Sequence, residues 1–289
     1  MFFEIHHTTR YTYPAPVALD PHVFRLRPRS DGTQNLLEYQ FHLEPNPVGI
    51  SHLVDVDGHA AVEAWFAGTT DHLTITSRSV VRTFRDNPFD FLYTDPATLV
   101  LPMQYPESLR IPLLPYLRRP QVADSVVTWA HTVATEANHR TDQFTLLLTQ
   151  RIAEMIRHVV RLTGPPMDPA KLLSVREGAC RDTAVLFVTA CRLMGIASRF
   201  VSGYTPPSPT ADSAMHAWAE VFIPGAGWRG YDPSVGLAVT NQHVAVAAAA
   251  DPSQASPVTG SFRSASSKSD MTVTVDVQVH PFQPEPMFD

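Results

Sequence analysis

Three residues of this sequence are of the types that thiol acyl transfer needs. Cys180 stands in REGACRDTAVLFVTACRLMG, where a turn containing Gly178 gives way to a long apolar helical pattern. A thiol at a helix start faces unpaired backbone N–H groups and the positive end of the aligned peptide dipoles, which favour the thiolate. His216 lies in the strand-like run MHAWAEVFI and Asp232 in GWRGYDPS. The three supply a nucleophile, a general base and an orienting carboxylate. Each also has an ordinary reading: a buried apolar cysteine, a packed strand histidine and an aspartate capping the turn before Pro233.

The elements around them must bring the three together. His216, Trp218, Glu220 and Phe222 alternate with Ala217, Ala219, Val221 and Ile223, the pattern of a strand. The run Pro224-Gly225-Ala226-Gly227 makes a turn and Trp228 to Asp232 returns, so a hairpin places His216 and Asp232 near its open end. Trp218 and Trp228 read as core aromatics, with an acyl-acceptor wall as the alternative. Cys191 lies inside the helical pattern and reads as packing. Eleven residues of helix separate it from Cys180 by about 16 Å, beyond the reach of a disulfide.

Two further helices are expected before the cysteine. Val122, Val126, Trp129, Val133 and Ala137 form one apolar stripe, and Leu148, Ile152, Met155, Val159 and Leu162 another that ends before Gly164-Pro165-Pro166. His131, Glu136 and His139 read as helix-surface residues, because their spacing lacks the compact arrangement of a zinc site. Residues 196–204 read as a strand. The loop TPPSPTADSA after it either shapes an entrance or merely turns the chain.

Residues 2–91 alternate with a period of two and are punctuated by Asp31-Gly32, Pro45-Asn46-Pro47 and Asp57-Gly58, which indicates antiparallel strands and turns. Prolines at 88, 96, 102, 106, 112, 115 and 120 then argue against regular elements, and large apolar residues among them indicate an ordered connector. Periodicity leaves residues 244–250 unassigned, and SASSKSD is loop-like. MTVTVDVQVH is a strand that returns to complete a sheet, and PFQPEPMFD reads as an extended tail.

A chain of 289 residues with 44% hydrophobic residues and a formal charge of -6 suits two moderate domains and argues against a general nucleic-acid binder. RLRPR at residues 25–29, its densest basic group, reads as a solvated strand end. Met1 leads directly into FFEIHHTTRYTY, without a basic leader or cleavage site, and no run reaches about eighteen apolar residues. The expectation is a cytoplasmic protein without a membrane segment.

GACRDTAVLFVTACRLMGIASRFVSGY followed by HAWAEVFIPGAGWRGYDPS closely resembles the bacterial transglutaminase-like core, a papain-related Cys-His-Asp fold. HHTTRYTYPAPVALDPHVFRLRPR resembles the β-rich domain that precedes this core in bacterial members. The resemblance implies an α+β fold: a β-rich domain over residues 1–95, a connector over 96–120 and a transglutaminase-like core with a C-terminal strand over 121–289. It implies Cys180, His216 and Asp232 as catalytic residues, and Arg181 and Asp182 as the pair that steadies the nucleophile turn. The implied activity is acyl transfer or hydrolysis on peptide or isopeptide amides, as a cysteine protease, amidase or transglutaminase with a primary-amine acceptor. No metal or nucleotide is required. The alternative is a non-catalytic scaffold that binds a peptide or protein. Thr183, where many members have an aromatic residue, and Met215, where an aspartate is common, depart from the family pattern.

Overall fold

Alternation in the first third of the chain becomes a long antiparallel sheet in the computed structural model, which describes residues 1–207, 214–264 and 268–284. Strand β1 (Phe2–Leu19) turns Phe3, Ile5, His7 and Thr9 inward, all buried, because successive strand side chains point to opposite faces. It pairs with β6 (Thr70–Thr83), which pairs with β3 (Gln34–Glu44). Strands β2 (His22–Phe24), β4 (Gly49–Val54), β5 (Ala60–Trp65) and β14 (Val258–Thr259) form a second sheet in the order β14-β2-β5-β4. Phe24, Leu43, Val62, Leu73 and Ile75 belong to a hydrophobic core shared by the two sheets.

In the proline-rich segment helical structure is limited to a 3-10 turn at Pro96–Leu99 and the single turns α1 (Glu107–Arg110) and α2 (Leu114–Leu117). Recurrent proline removes donors and restricts the preceding residue, which keeps each turn short. The segment is nevertheless fixed. Tyr105 donates its hydroxyl hydrogen to the Phe222 carbonyl at 2.7 Å and accepts from the Ala197 N–H at 3.0 Å.

Helices α3 (Asp124–Glu136), α4 (Thr141–Met155), α5 (Pro169–Val175) and α6 (Cys180–Leu193) accompany a five-stranded antiparallel sheet. It comprises β9 (Ser198–Tyr204), β10 (His216–Ile223), β11 (Gly227–Asp232), β12 (Leu237–Ala238) and β13 (Val244–Ala249), in the order β12-β11-β10-β9-β13. Leu186, Phe187 and Ala190 of α6 share one core with Ala219, Val221 and Ile223 of β10. Burial on nearly every face makes α6 the centre of this half of the molecule.

Two sequence expectations change here. The second apolar stripe does not continue as helix to Leu162: α4 stops at Met155, and β7 (Arg157–His158) pairs in parallel with β8 (Glu177–Gly178). The Arg157 N–H bonds the Arg176 carbonyl at 2.8 Å and the Val159 N–H bonds that of Gly178 at 3.0 Å. Ile156, Val159 and Val160 are β-branched, and this nonlocal pairing overrides their helical spacing. Similarly, α3 ends at Glu136 and His139 takes a left-handed φ of 53°, so His131 and His139 do not share a helix face.

The last strands bind the two halves of the sequence together. β15 (Phe262–Arg263) pairs with the end of β1, and β16 (Asp270–His280) pairs antiparallel with β1 from Phe2↔His280 to Thr12↔Asp270. Grouping residues 121–289 by sequence places this strand with the core, whereas its hydrogen bonds belong to the N-terminal sheet, where it covers an otherwise open edge of β1. Val275 and Val277 pack with Phe3 and Ile5, and with Tyr204, Val244 and Val246 of the other half. Buried Glu220 adds a polar lock, bonded to Arg29 at 3.2 Å and Arg199 at 2.6 Å. These guanidinium charges outweigh burial and hold its carboxyl at about 2. Most of the loop TPPSPTADSA, part of SASSKSD and the end of the tail lie outside the described residues.

Candidate active site

The nucleophile position is made by a close approach of backbone. A Cβ on Gly178 would lie 2.6 Å from the Leu172 side chain and 3.2 Å from that of Asp182, so a larger residue would push both aside where the chain enters α6. Ala179 is extended at the N-cap and Cys180 is the first helical residue, its N–H among those that no helical carbonyl can reach. Asp182 fixes this start. Its Oδ2 accepts from the Ala179 N–H at 2.8 Å, and its Oδ1 accepts from Arg161 at 2.5 Å and the Met167 N–H at 2.7 Å. Arg181 donates to the carbonyls of Arg161 and Thr163. Both residues thus clamp the 161–167 loop against the nucleophile helix, as the turn-steadying role anticipated. Asp182→Ala is expected to destabilise the fold by about 3 kcal/mol, because it strands a cation and two backbone donors. A lowered guanidinium midpoint with an unchanged slope would show it.

The hairpin delivers the other two residues. Pairing of β10 with β11 runs from Ile223↔Gly227 to Ala219↔Tyr231, so Asp232 emerges near His216 at the open end. His216 Nε2 donates to Asp232 Oδ2 at 2.7 Å. The Cys180 side chain lies in the same cleft close to the ring, whose Nδ1 remains available to face it. Burial by itself would push the imidazole pKa down. The Asp232 charge and hydrogen bond, with a smaller contribution from neighbouring Cys180, prevail and raise it to about 10. Burial likewise opposes ionisation of Asp232, but His216 and the second imidazole of His243 hold its carboxyl well below the usual range.

The three meet in a cavity of about 1140 Å³ between the two halves of the molecule. Cys180, His216 and Asp232 line it together with the 158–169 loop on one side and β1 and β16 on the other. A thiol, an imidazolium and a buried carboxylate in sequence can support nucleophilic attack, proton return and orientation of the ring.

Sequence comparison agrees with this architecture. Residues 3–82 match the bacterial transglutaminase-like N-terminal region, and residues 127–233 match the transglutaminase-like superfamily. The chain thus carries the two matched regions in order, the N-terminal region followed by the core. It is 29% identical over 295 residues to the uncharacterized protein Rv2569c of Mycobacterium tuberculosis, covering 95% of this chain and 92% of that one. It is 25% identical over 279 residues to the uncharacterized protein ML0607 of Mycobacterium leprae, covering 94% and 96%. Its fold is similar to that of a candidate cysteine protease from Cytophaga hutchinsonii, with a TM-score of 0.70 and 20% identity over 98% of this chain and 93% of that one. The papain-like thiol-enzyme fold is therefore common to both.

The remaining sequence candidates separate. Cys191 is fully buried and its thiol is pushed well up by burial, as packing requires. Trp218 and Trp228 line a smaller cavity of about 290 Å³ rather than the Cys180 cleft. Of the departures from the transglutaminase-like pattern, Thr183 is buried and donates to the Cys180 carbonyl at 2.9 Å, whereas Met215 lines the cleft and packs against the N-terminal sheets. Sequence reading missed Ser234 and His243. Ser234 gives Asp232 Oδ1 its hydroxyl hydrogen at 2.6 Å and its N–H at 3.0 Å, and His243 Nε2 reaches Oδ2 at 3.3 Å. The Asp-Pro-Ser turn carried a signal for Ser234; nothing local marks His243. It also missed His158, which lines the cleft and whose pKa is lowered by burial and by the charge of His216.

Proposed function

We propose that this chain is a cysteine acyl-transfer enzyme acting on peptide or isopeptide amides. The observation that supports it most is the imidazole of His216, hydrogen-bonded to the buried Asp232 carboxylate and facing the cleft that Cys180 also lines. The Cys180 sulfur attacks the amide carbonyl, forming a C–S bond and an oxyanion. His216 gives its proton to the departing nitrogen as the C–N bond breaks, leaving a thioester. Water or a primary amine then attacks, losing its proton to His216, and the C–S bond breaks to restore the thiolate. Attack by water makes a protease or amidase, and attack by an amine makes a transglutaminase. No step calls on a metal or a nucleotide.

The Cys180 N–H is one donor to the oxyanion. His158 is proposed as the second, because it lines the same cleft as Cys180 and lies close enough to His216 to feel its charge. His158→Ala is expected to lower kcat about 100-fold with little change in KM, and His158→Gln to recover part of it. Steady-state kinetics of the two variants separate this role from substrate binding.

The decisive experiment is intact-mass analysis after incubation with a panel of glutaminyl peptides, with and without a primary amine, comparing the parent with Cys180→Ala. Cys180-dependent amine incorporation establishes transglutamination; cleavage or deamidation establishes hydrolysis. No product, together with iodoacetamide reactivity at Cys180 no greater than that of an ordinary thiol, favours the peptide-binding scaffold instead.

A further inference from the structure

The cleft has two apolar walls, and they come from different halves of the chain. Beside the thiol, Val160, Leu162 and Val235 are 45%, 43% and 58% exposed, although each is a large apolar side chain. Opposite them lie half-buried Tyr11 of β1 and Met271 and Val273 of β16, with Met215 next to His216. Apolar side chains left in contact with water around a reactive thiol mark a surface that a ligand covers.

The form of the second wall specifies the ligand. Tyr11 pairs with Met271 and Thr9 with Val273, so the inner face of this sheet presents rows of side chains two residues apart, about 6.6 Å. An extended peptide has the same repeat along each of its faces. The volume of about 1140 Å³ exceeds that of a site for a drug-sized molecule and suits a chain segment. The ionisable groups bordering the cleft, including Arg161, Arg181, Asp168 and Asp251, belong to the core side, whereas His7, the ionisable imidazole on the β1 wall, is buried and held neutral at about 4 by desolvation. Its ring is already bonded to Tyr204 and Thr9.

We infer that the N-terminal sheet is half of the substrate site, and that the substrate is an extended peptide segment with apolar side chains at alternate positions, clamped between β16 and the Val160–Leu162 edge beside Cys180. This deepens the acyl-transfer reading and rests on it. The N-terminal region then selects the substrate while the core performs the chemistry.

The test uses the full chain carrying Cys180→Ala, which binds without turning over. A fluorescent glutaminyl peptide with valine, leucine or phenylalanine at alternate positions is compared by anisotropy with one carrying aspartate and lysine there. The apolar peptide is expected to bind at least tenfold tighter. Met271→Lys on one wall and Leu162→Lys on the other are each expected to weaken it at least tenfold. Equal affinity for both peptides overturns the inference. Loss with Leu162→Lys alone overturns the role of the N-terminal sheet, and Tyr11→Lys repeats that arm if Met271→Lys does not fold. Alkylation of Cys180 in the parent and in His216→Ala tests the acyl-transfer reading separately: a His216-dependent thiol with no preference for apolar peptides sinks only the inference made here.

Discussion

His216→Ala is expected to lower amide turnover by about ten-thousand-fold or more, because one side chain accepts the nucleophile's proton, returns it to the leaving nitrogen and supplies a charge beside the sulfur. With its pKa raised to about 10, His216 is an imidazolium at neutral pH. A positive charge beside the sulfur stabilises the negative charge it carries in attack. Alkylation by iodoacetamide reports this without any substrate: its rate at about pH 6 should fall at least tenfold in the variant. Cys191 will not obscure the result, since it is fully buried and its thiol is pushed well up. Equal alkylation rates in parent and variant would mean that the imidazole does not activate the sulfur, and the scaffold reading would then lead. His216→Ala also removes the partner of buried Asp232, so its melting temperature is expected to fall, and turnover is compared well below the variant's own transition to locate the loss in chemistry.

What could be read from the sequence was whatever local geometry determines. The Pro224 to Gly227 turn fixes the register of its hairpin, and register carries Asp232 to His216. Gly178 before an apolar periodic run similarly marks the start of α6 and thus the position of Cys180. What could not be read depends on partners remote in the chain. The edge completed by β16 lies at the opposite terminus, and alternation within MTVTVDVQVH says nothing about which strand receives it. Residues 156–162 satisfy a helical stripe, yet β8, some twenty residues on, draws them into a parallel pair. His243 reaches Asp232 only because β13 lies on the far side of β9 from β10 and its entry passes the hairpin's open end. In the core, side-chain spacing predicted the faces; at the cleft, nonlocal topology decided which faces meet.

Asp232→Asn is expected to reduce turnover by about ten-thousand-fold while preserving shape. Asp232 Oδ2 accepts from both imidazoles and Oδ1 from Ser234 twice. An amide nitrogen facing His216 would donate instead of accept, turning the ring so that Nδ1 carries hydrogen and can no longer take the thiol proton. The same substitution has a signature in stability. His216 binds its proton up to about 10 in the folded protein but releases it near 6.5 when unfolded, so its contribution is complete below about 6.5 and disappears as pH rises through 10. Between those values the folded state holds the extra proton and stability falls by up to about 1.4 kcal/mol per pH unit. Asp232, with a depressed folded value, contributes above about 4 and loses that contribution on acidification. Guanidinium unfolding at about pH 6 and pH 9 should therefore show a steeper decline in the parent than in Asp232→Asn, where the charge that keeps His216 protonated is gone. Parallel declines would contradict a folded imidazolium and remove the electrostatic basis for the His216 activation. A steeper parent decline accompanied by lost turnover would tie both effects to one buried carboxylate.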